Sequence, residues 1–401
     1  MRLPTLDDCD VGGKRVLLRV DLNVPVQDGR ITDMTRIERQ VPTIRELADR
    51  NARVIILSHF DRPKGKVVPS KSLKPLVEPL ARAIGRPVAF ADDCAGPVAE
   101  AAVAALKDGQ VLLLENTRFH AGEENNDADF ARAVAALGDI FVNDAFSAAH
   151  RADATISGIA ALLPSVAGRS MMLELTHLEK ALGNPARPLM AVVGGNKVST
   201  KIAVLENLAG KVQVLAIGGA MANTFLAAQG IPVGKSLHEA DHLETARKVV
   251  RMAKERGVEL LLPADVVVAK EFKAGAASRV TGVTNIGADE MALDVGPATI
   301  AALTAKLAGA RTLVWNGPMG AFETAPFDAG TVAAARAVAA ATRAGKLLSV
   351  AGGGDTVAAL AHAGVEKDFT YVSAAGGAFL EWLEGKALPG VEALKEAGKR
   401  Q

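Results

Sequence analysis

Leu347-Leu348-Ser349-Val350-Ala351-Gly352-Gly353-Gly354-Asp355-Thr356 is the stretch on which the fold turns. An apolar, strand-sized run feeds directly into three glycines and then into residues of helical character. A strand, a glycine turn and a helix in that order let backbone N–H groups and the positive end of the helix dipole meet an anion. A single such cluster also serves as a plain tight turn. Here the carboxylate of Asp355 stands beside the triple glycine, where it can hold Mg²⁺ bridging phosphates, a metal that takes few protein carboxylates.

Working outward, the same unit recurs. Strands are predicted at Leu189–Val193, Val214–Ile217, Leu260–Leu262, Thr312–Trp315, Leu347–Val350 and Thr370–Val372, and most run into glycines: Gly194-Gly195, Gly218-Gly219, Gly317, Gly376-Gly377. Earlier strands, predicted at Arg15–Val20, Arg53–Leu57, Val111–Leu114 and Asp139–Val142, run instead into Asp21-Leu22-Asn23, Ser58-His59, Glu115-Asn116-Thr117-Arg118 and Asn143-Asp144. Helical stretches such as Asp127–Leu137 and Thr331–Arg343 lie between them. Short apolar runs alternating with helices make parallel sheets covered on both faces. The expected fold is α/β, with two doubly wound parallel-sheet domains joined by a hinge helix and a ligand cleft between them. Ligands of open α/β sheets sit outside the carboxyl ends of strands. One domain should therefore recognise its ligand with side chains and the other with backbone. Met171–Leu182 reads as one helix ended by Gly183-Asn184-Pro185, placing the connector at 171–187.

Composition narrows the function classes. The 401 residues are 49% hydrophobic and 23% charged, which excludes wholesale disorder, and the length suggests two or three domains. Lys+Arg at 46 against Asp+Glu at 45 leaves +1, so no global field draws the chain to nucleic acid or to an anionic membrane. Acids at Asp7 and Asp8 stand where a signal peptide would be apolar, and no run approaches the ~18 residues of a spanning helix. Two cysteines, Cys9 and Cys94, fit a reducing, cytoplasmic setting.

Four other local patterns bear on chemistry. Gly194-Gly195-Asn196-Lys197-Val198-Ser199-Thr200-Lys201 sets two lysines four apart at an expected helix start, which puts both ammoniums on one face with an anion as the natural compensation. Gly230-Ile231-Pro232-Val233-Gly234-Lys235-Ser236 imitates a phosphate loop but has three residues between its glycines where the pattern needs four. His238-Glu239-Ala240-Asp241-His242 satisfies H-E-x-x-H, yet His238 falls at an expected first helical turn with no third ligand nearby, so it reads as a solvated helix start. Arg36, His59, Arg62, Arg118, His150 and Arg151 lie in or after the early strand ends, and together they would make a basic bowl for a small polyanion. Asp21 and Asn23 would bond hydroxyls or orient arginines.

Arg19-Val20-Asp21-Leu22-Asn23-Val24-Pro25, Ser58-His59-Phe60-Asp61-Arg62-Pro63, Leu114-Glu115-Asn116-Thr117-Arg118-Phe119, Asn143-Asp144-Ala145-Phe146, Trp315-Asn316-Gly317-Pro318-Met319-Gly320 and Gly352–Thr356 resemble, in order and spacing, the motifs of phosphoglycerate kinases. The resemblance runs from about residue 3 to the end. It implies reversible, Mg-dependent phosphoryl transfer between 1,3-bisphosphoglycerate with ADP and 3-phosphoglycerate with ATP. It implies 3-phosphoglycerate in the first domain, on Asp21, Leu22, Asn23, Arg36, His59, Phe60, Asp61, Arg62, Arg118 and Arg151. It implies ATP or ADP in the second, on Lys201, Glu323, Gly353, Gly354, Asp355 and Thr356, with Asp355 the Mg²⁺ ligand. Arg36, Lys197, Gly353 and Gly376 would serve the transfer itself. The carboxyl tail, about 386–401, would return to the first domain, giving domains 1–170 with 386–401 and 188–385. A cytoplasmic monomer is implied.

This chain departs from the family pattern at Asp61, where glycine is usual, at Asp153, where histidine is common, and at Ala374-Ala375, which replace Thr-Gly ahead of Gly376-Gly377. Asp61 should weaken polyanion binding unless it turns away or pairs with an arginine. The chemistry needs no catalytic base, because the attacking carboxylate ionises near pH 3.5, roughly its free value. Positioning, charge stabilisation and exclusion of water by hinge closure remain for the protein. The competing reading is a hinged α/β binding protein that has lost transfer through Asp61 and Ala375. A nicotinamide dehydrogenase is a third reading on fold class alone; it lacks a G-x-G-x-x-G loop after the first strand, where Asp21-Leu22-Asn23 stands, and the absence of a cofactor-dependent absorbance change would dismiss it.

Overall fold

Val16, Leu18, Val54, Ile56, Leu113 and Val142 fall in one hydrophobic core, while the alternating Leu17, Ile55, Leu112 and Phe141 fall in another. The period of two sorts side chains to opposite faces of a strand, and both faces are buried. That is why these strands read as unbroken apolar runs rather than alternating ones. The computed structural model describes residues 3–400. Expectations that extend to Met1, Arg2 or Gln401 fall outside those residues at these ends.

The chain divides into two compact units. One holds the residues through Leu175 together with those from Ala387 onward, and the other holds Thr176–Lys386. The first unit's sheet runs Val88–Ala91, Val111–Leu114, Arg53–Leu57, Arg15–Arg19, Ile140–Asn143, Ser165–Ala167 from edge to edge, all parallel. The second unit's sheet runs Glu259–Leu261, Val214–Ile217, Leu189–Val193, Thr312–Asn316, Leu348–Gly352, Tyr371–Ser373, again all parallel. In each sheet the strand earliest in the chain is central. In the second the chain winds outward to one side and then to the other, while in the first Val111–Leu114 inserts between Arg53–Leu57 and the edge strand Val88–Ala91 before the chain crosses over. The switch falls between Arg15–Arg19 and Ile140–Asn143 in one unit, and between Leu189–Val193 and Thr312–Asn316 in the other. A doubly wound sheet leaves its crevice at that point, at the carboxyl ends.

Several predicted elements shift. Three sequence-predicted strands of the second unit move one residue, to Glu259–Leu261, Leu348–Gly352 and Tyr371–Ser373 at their starts. The short strands Val88–Ala91 and Ser165–Ala167 close the edges of the first sheet, and the hairpin Val26–Gln27 with Arg30–Ile31 follows its first strand. A separate antiparallel sheet, Ser278–Gly282, Asp265–Ala269, Met291–Val295, joins the second unit. Met171–Leu182 is not one regular helix. An α-helix covers Arg169–Leu178 and widens into a π-helical turn at Glu179–Gly183. Its start is fixed by Asp144, whose Oδ1 accepts from Met171 N at 2.9 Å. No helix among the described residues is long and apolar enough to cross a membrane.

Candidate active site

In the first unit the strand ends converge on one charged basin. Val20-Asp21-Leu22-Asn23 leaves the central strand in a turn pinned by Ser58 Oγ, which accepts from Leu22 N at 2.9 Å, and by Asp21 Oδ1, which accepts from Asn23 N at 2.9 Å. Arg36, in the first turn of the helix Thr35–Asp49, reaches back to this turn. Its guanidinium lies 3.0 Å from Asp21 Oδ2 and donates to Asn23 O at 2.8 Å, with the side chain 35% exposed. Asp21 also accepts from Ser147 Oγ, beyond the neighbouring strand. Burial alone would raise the Asp21 carboxyl; Arg36 and the Ser147 and Asn23 hydrogen bonds act the other way, and the carboxyl lies below the usual carboxylate range. Asp21 therefore acts as a fixed anion that orients Arg36.

Asn23 Oδ1 accepts from Asp61 N at 2.9 Å, and Asp61 O accepts from Arg118 Nη1 at 3.0 Å. Arg118 faces Asp153 at 3.7 Å and Glu124 at 3.5 Å, while Arg151 donates to Asp153 at 3.0 Å and to Glu124 at 2.7 Å. One chain of contacts thus links Arg36, Asp21, Asn23, Asp61, Arg118, Asp153 and Arg151. His59 is buried against Asp21 and Arg19. Leu22 is buried and Phe60 half-buried, with Phe60 N donating to Asn116 Oδ1 at 3.1 Å. Arg62 is exposed, and its guanidinium makes no hydrogen bond among the described residues.

Asp61 neither turns into the basin nor meets an arginine side chain. It pairs with Lys71 at 3.0 Å, and that hydrogen bond holds its carboxyl below the ordinary range. Its φ of +52° lies in the left-handed region, which is the physical reason glycine suits the position. Asp153 is the shared acceptor between Arg118 and Arg151. Lys71, Ser147 and Asp153 as an arginine spacer were not singled out in the sequence, since none carries a motif of its own.

The second unit presents backbone. Gly194 and Gly317 let two loops touch main chain to main chain, since a Cβ on Gly194 would come within 1.9 Å of Pro318 O and one on Gly317 within 2.1 Å of Gly194 O. Asn316 ties two strand ends to a helix start: its Oδ1 accepts from Lys201 Nζ, and its Nδ2 donates to Gly352 O at 2.8 Å. Thr356 is buried and its Oγ1 accepts from Gly317 N at 2.7 Å, so that hydroxyl holds the loop in place. Gly353, at φ +97°, precedes the helix Gly354–His362, and Gly376, at φ +52°, precedes the helix Gly377–Leu383. A Cβ on Gly354 or Gly376 would meet nothing within 4 Å, so open space lies before both helix starts. Ala374 and Ala375 lie outside the helix they precede, with Ala375 buried and its N–H held by Ser373 Oγ at 3.1 Å.

The two lysines do not share a helix face. Residues 196–200 form an irregular turn and the helix begins at Ile202, with Lys201 its N-cap. Glu239 fixes that turn, its carboxylate accepting from Ser199 N at 2.9 Å and from Ser199 Oγ at 2.5 Å. His238 is likewise not in a helix; it precedes the 3-10 turn Ala240–His242. Burial lowers the Lys201 ammonium while Asp355 and Glu384 act the other way, which puts Lys201 within electrostatic reach of Asp355. Lys197, Asp355 and Glu323 are exposed, and none of the three side chains makes an ion pair among the described residues. A second cluster, Asp93, Cys94 and His120, lies apart from both sets. Its Asp93 Oδ1 is already engaged by Cys94 N and His120 Nε2, each at 2.7 Å.

The family profile described as "Phosphoglycerate kinase" matches residues 6–386. The chain belongs to the phosphoglycerate kinase family. Curated relatives of that name from Granulibacter bethesdensis and Rhizobium meliloti are 61% and 62% identical, over 98% and 99% of this chain and all of theirs. The phosphoglycerate kinase structure from Coxiella burnetii is similar at TM-score 0.92 and 44% identity, covering 98% of this chain and 99% of that one. That from Pyrococcus horikoshii is similar at 0.84 and 29%, covering both chains in full. Membership makes this chain a kinase that transfers a phosphoryl group to a carboxyl group. Nothing among the relatives favours the binding protein that has lost transfer.

Proposed function

We propose that the first unit binds 3-phosphoglycerate or 1,3-bisphosphoglycerate in the Asp21–Arg151 basin, and that the second binds ATP or ADP at the Gly194, Asn316, Gly352 and Gly376 loops. The linked chain of contacts from Arg36 through Asp61 to Arg151 carries this reading. Arginines held by carboxylates and carbonyls keep forked donors in place for a polyanion. Arg36, His59, Arg62, Arg118 and Arg151 bind the acid, and Asp21, Asn23 and Asp153 orient them. The Asp61 charge is spent on Lys71.

The nucleotide side offers amides at Gly353, Gly354 and Gly376, the Lys201 ammonium and the Thr356 anchor. Asp355 fits Mg²⁺: an exposed hard carboxylate in the first turn of the helix, making no hydrogen bond or ion pair among the described residues and next to the amides proposed to face phosphate. When bound, the metal would neutralise phosphate charge. The attacking carboxylate of the acid substrate needs no base. Arg36 and Lys197 supply positive charge to the moving phosphoryl oxygens, and Gly353 and Gly376 present N–H groups to them. Transfer needs the two ligands in line, so movement about residues 171–187 would bring them together and exclude water. Two free thiols, Cys9 and Cys94, support a reducing, cytoplasmic setting, and the family resemblance supports a monomer.

The test is ADP release from ATP, with and without 3-phosphoglycerate and Mg²⁺, trapping acyl phosphate with hydroxylamine. Release that requires both, with hydroxamate formed, is expected. Folded protein that binds both ligands yet forms no hydroxamate would overturn the reading.

A further inference from the structure

Arg19 ends the central strand of the first unit and is fully buried, an unusual place for a guanidinium. Every edge of it is engaged. Nε donates to Thr155 Oγ1 at 2.8 Å, Nη1 donates to Val20 O, and Nη2 lies 3.1 Å from His59 Nδ1. Behind it Glu123, also fully buried, stands 3.9 Å from Nη2. Glu123 is held in turn by Thr155 Oγ1 at 2.5 Å, Thr155 N at 3.0 Å and Thr117 Oγ1 at 3.1 Å. The guanidinium has one place to sit.

A guanidinium has donors and no acceptor. His59 Nδ1 must therefore be the accepting nitrogen, which leaves the ring proton on Nε2. We infer that Arg19 is a positioning residue that fixes His59 as a neutral Nε2–H donor toward the anion in the basin. This rests on the assignment of His59 to the 3-phosphoglycerate basin. A second proton on Nδ1 would break the Arg19 bond and set two cations against each other in a buried place. The charged groups facing His59 are Asp21, which favours the imidazolium, and Arg19, Arg118 and Arg36, which oppose it. Burial is the largest influence and also favours the neutral ring. His59 thus gives direction to the substrate contact while the arginines supply the charge, and the contact does not titrate across the working range.

The experiment is long-range ¹H–¹⁵N NMR of the unaltered protein, uniformly ¹⁵N-labelled, reading its 7 histidine rings and its arginine Nε–H groups, with His59, Arg36 and Arg151 assigned by their loss in His59→Gln, Arg36→Lys and Arg151→Lys. The expected signature is a ring protonated at Nε2 that stays neutral well below the pH at which an ordinary histidine takes up its second proton, and whose Nε2–H shifts on adding 3-phosphoglycerate. A ring protonated at Nδ1, or an imidazolium at pH 7, would overturn the inference. A correct tautomer that ignores 3-phosphoglycerate, while Arg36 and Arg151 respond, would overturn the positioning role and leave the basin standing. No response from any basin residue would fail the basin itself. Arg19→Met should raise KM for 3-phosphoglycerate about tenfold, the loss of one hydrogen bond, and make it pH-dependent between pH 5 and 7.5. The same variant should change kcat less than about twofold. Arg19→Lys should restore the Nε2–H signature. A KM that does not depend on pH in Arg19→Met would count against the role. Should the Met variant not fold, with Glu123 left unpaired, the spectrum of the unaltered protein still decides.

Discussion

Asp61 sits at φ +52° with its side chain 55% exposed and bound to Lys71. Two effects compete there: backbone strain, which glycine would relieve, and an exposed ion pair worth about 0–1 kcal/mol. Alanine pays the left-handed strain, about 1–2 kcal/mol, without aspartate's local hydrogen bonding. Asp61→Gly should therefore be at least as stable as the natural chain in urea unfolding, and Asp61→Ala less stable than Asp61→Gly by about 1 kcal/mol. Because Lys71 already neutralises the carboxylate, KM for 3-phosphoglycerate should move less than about threefold in Asp61→Gly, within the worth of an exposed pair. A tenfold fall in KM would show that Asp61 repels substrate despite its lysine. The basin residues were legible in the sequence because they follow strands in recognisable motifs. Lys71 was not, because the residue that meets Asp61 in space is set by the path of the loop 61–72 and has no spacing of its own.

Elements reported themselves unevenly. The strands Arg53–Leu57, Val111–Leu114, Leu189–Val193 and Val214–Ile217 fall where the sequence predicts, since each is buried on both faces and ends at a sharp change of polarity. Val88–Ala91 is an edge strand of mostly half-exposed residues, and its alternation is too weak to stand out. The turn 194–201 was misread for a different reason. Lysines four apart imply a shared face only if the backbone is helical, and here a side chain from elsewhere holds the turn open. That side chain is Glu239, the middle of the H-E-x-x-H pattern, so the residues that imitate a metal site serve instead as a clamp: Glu239 grips Ser199, and its own N–H donates to Thr224 Oγ1 at 3.0 Å. Hydrogen bonds to a charged acceptor are worth about 1.5–3 kcal/mol each. Glu239→Ala should loosen the turn that carries Lys197 and Lys201, raising KM for ADP roughly fivefold, about 1 kcal/mol in binding. KM for 3-phosphoglycerate should stay within about twofold in that variant. Glu239→Gln, which keeps one acceptor, should fall between. An unchanged KM for ADP in the alanine variant would remove Glu239 from the nucleotide side.

At the scale of the molecule, two doubly wound parallel sheets of different strand order present two kinds of anion donor. The first unit's crevice strand leads into Asp21 and Asn23, so side-chain charge would do the binding proposed there; the second's leads into Gly194 and Gly195, where backbone would do it. Each solution has a physical cost that explains its surroundings. Several arginines on one rim repel one another, and Asp21, Glu124 and Asp153 offset that. Exposed helix starts such as Gly354–His362, which has no side-chain cap, leave N–H groups that an anion would satisfy. If the two ligands are held by separate units, damage to one set should leave the other's binding intact. Asp355→Ala should weaken Mg-ADP at least tenfold by calorimetry, the loss of a metal carboxylate, while 3-phosphoglycerate binds within about twofold of the natural chain. Arg36→Ala should lower kcat by about a hundredfold or more, as loss of a charge stabiliser in transfer does, with Mg-ADP affinity unchanged. The pairing is informative because the two variants must separate in opposite senses. Equal losses for both ligands in Asp355→Ala would contradict the division of labour between the units, and a loss of only a few-fold in kcat in Arg36→Ala would leave that arginine as a binding group with no part in transfer.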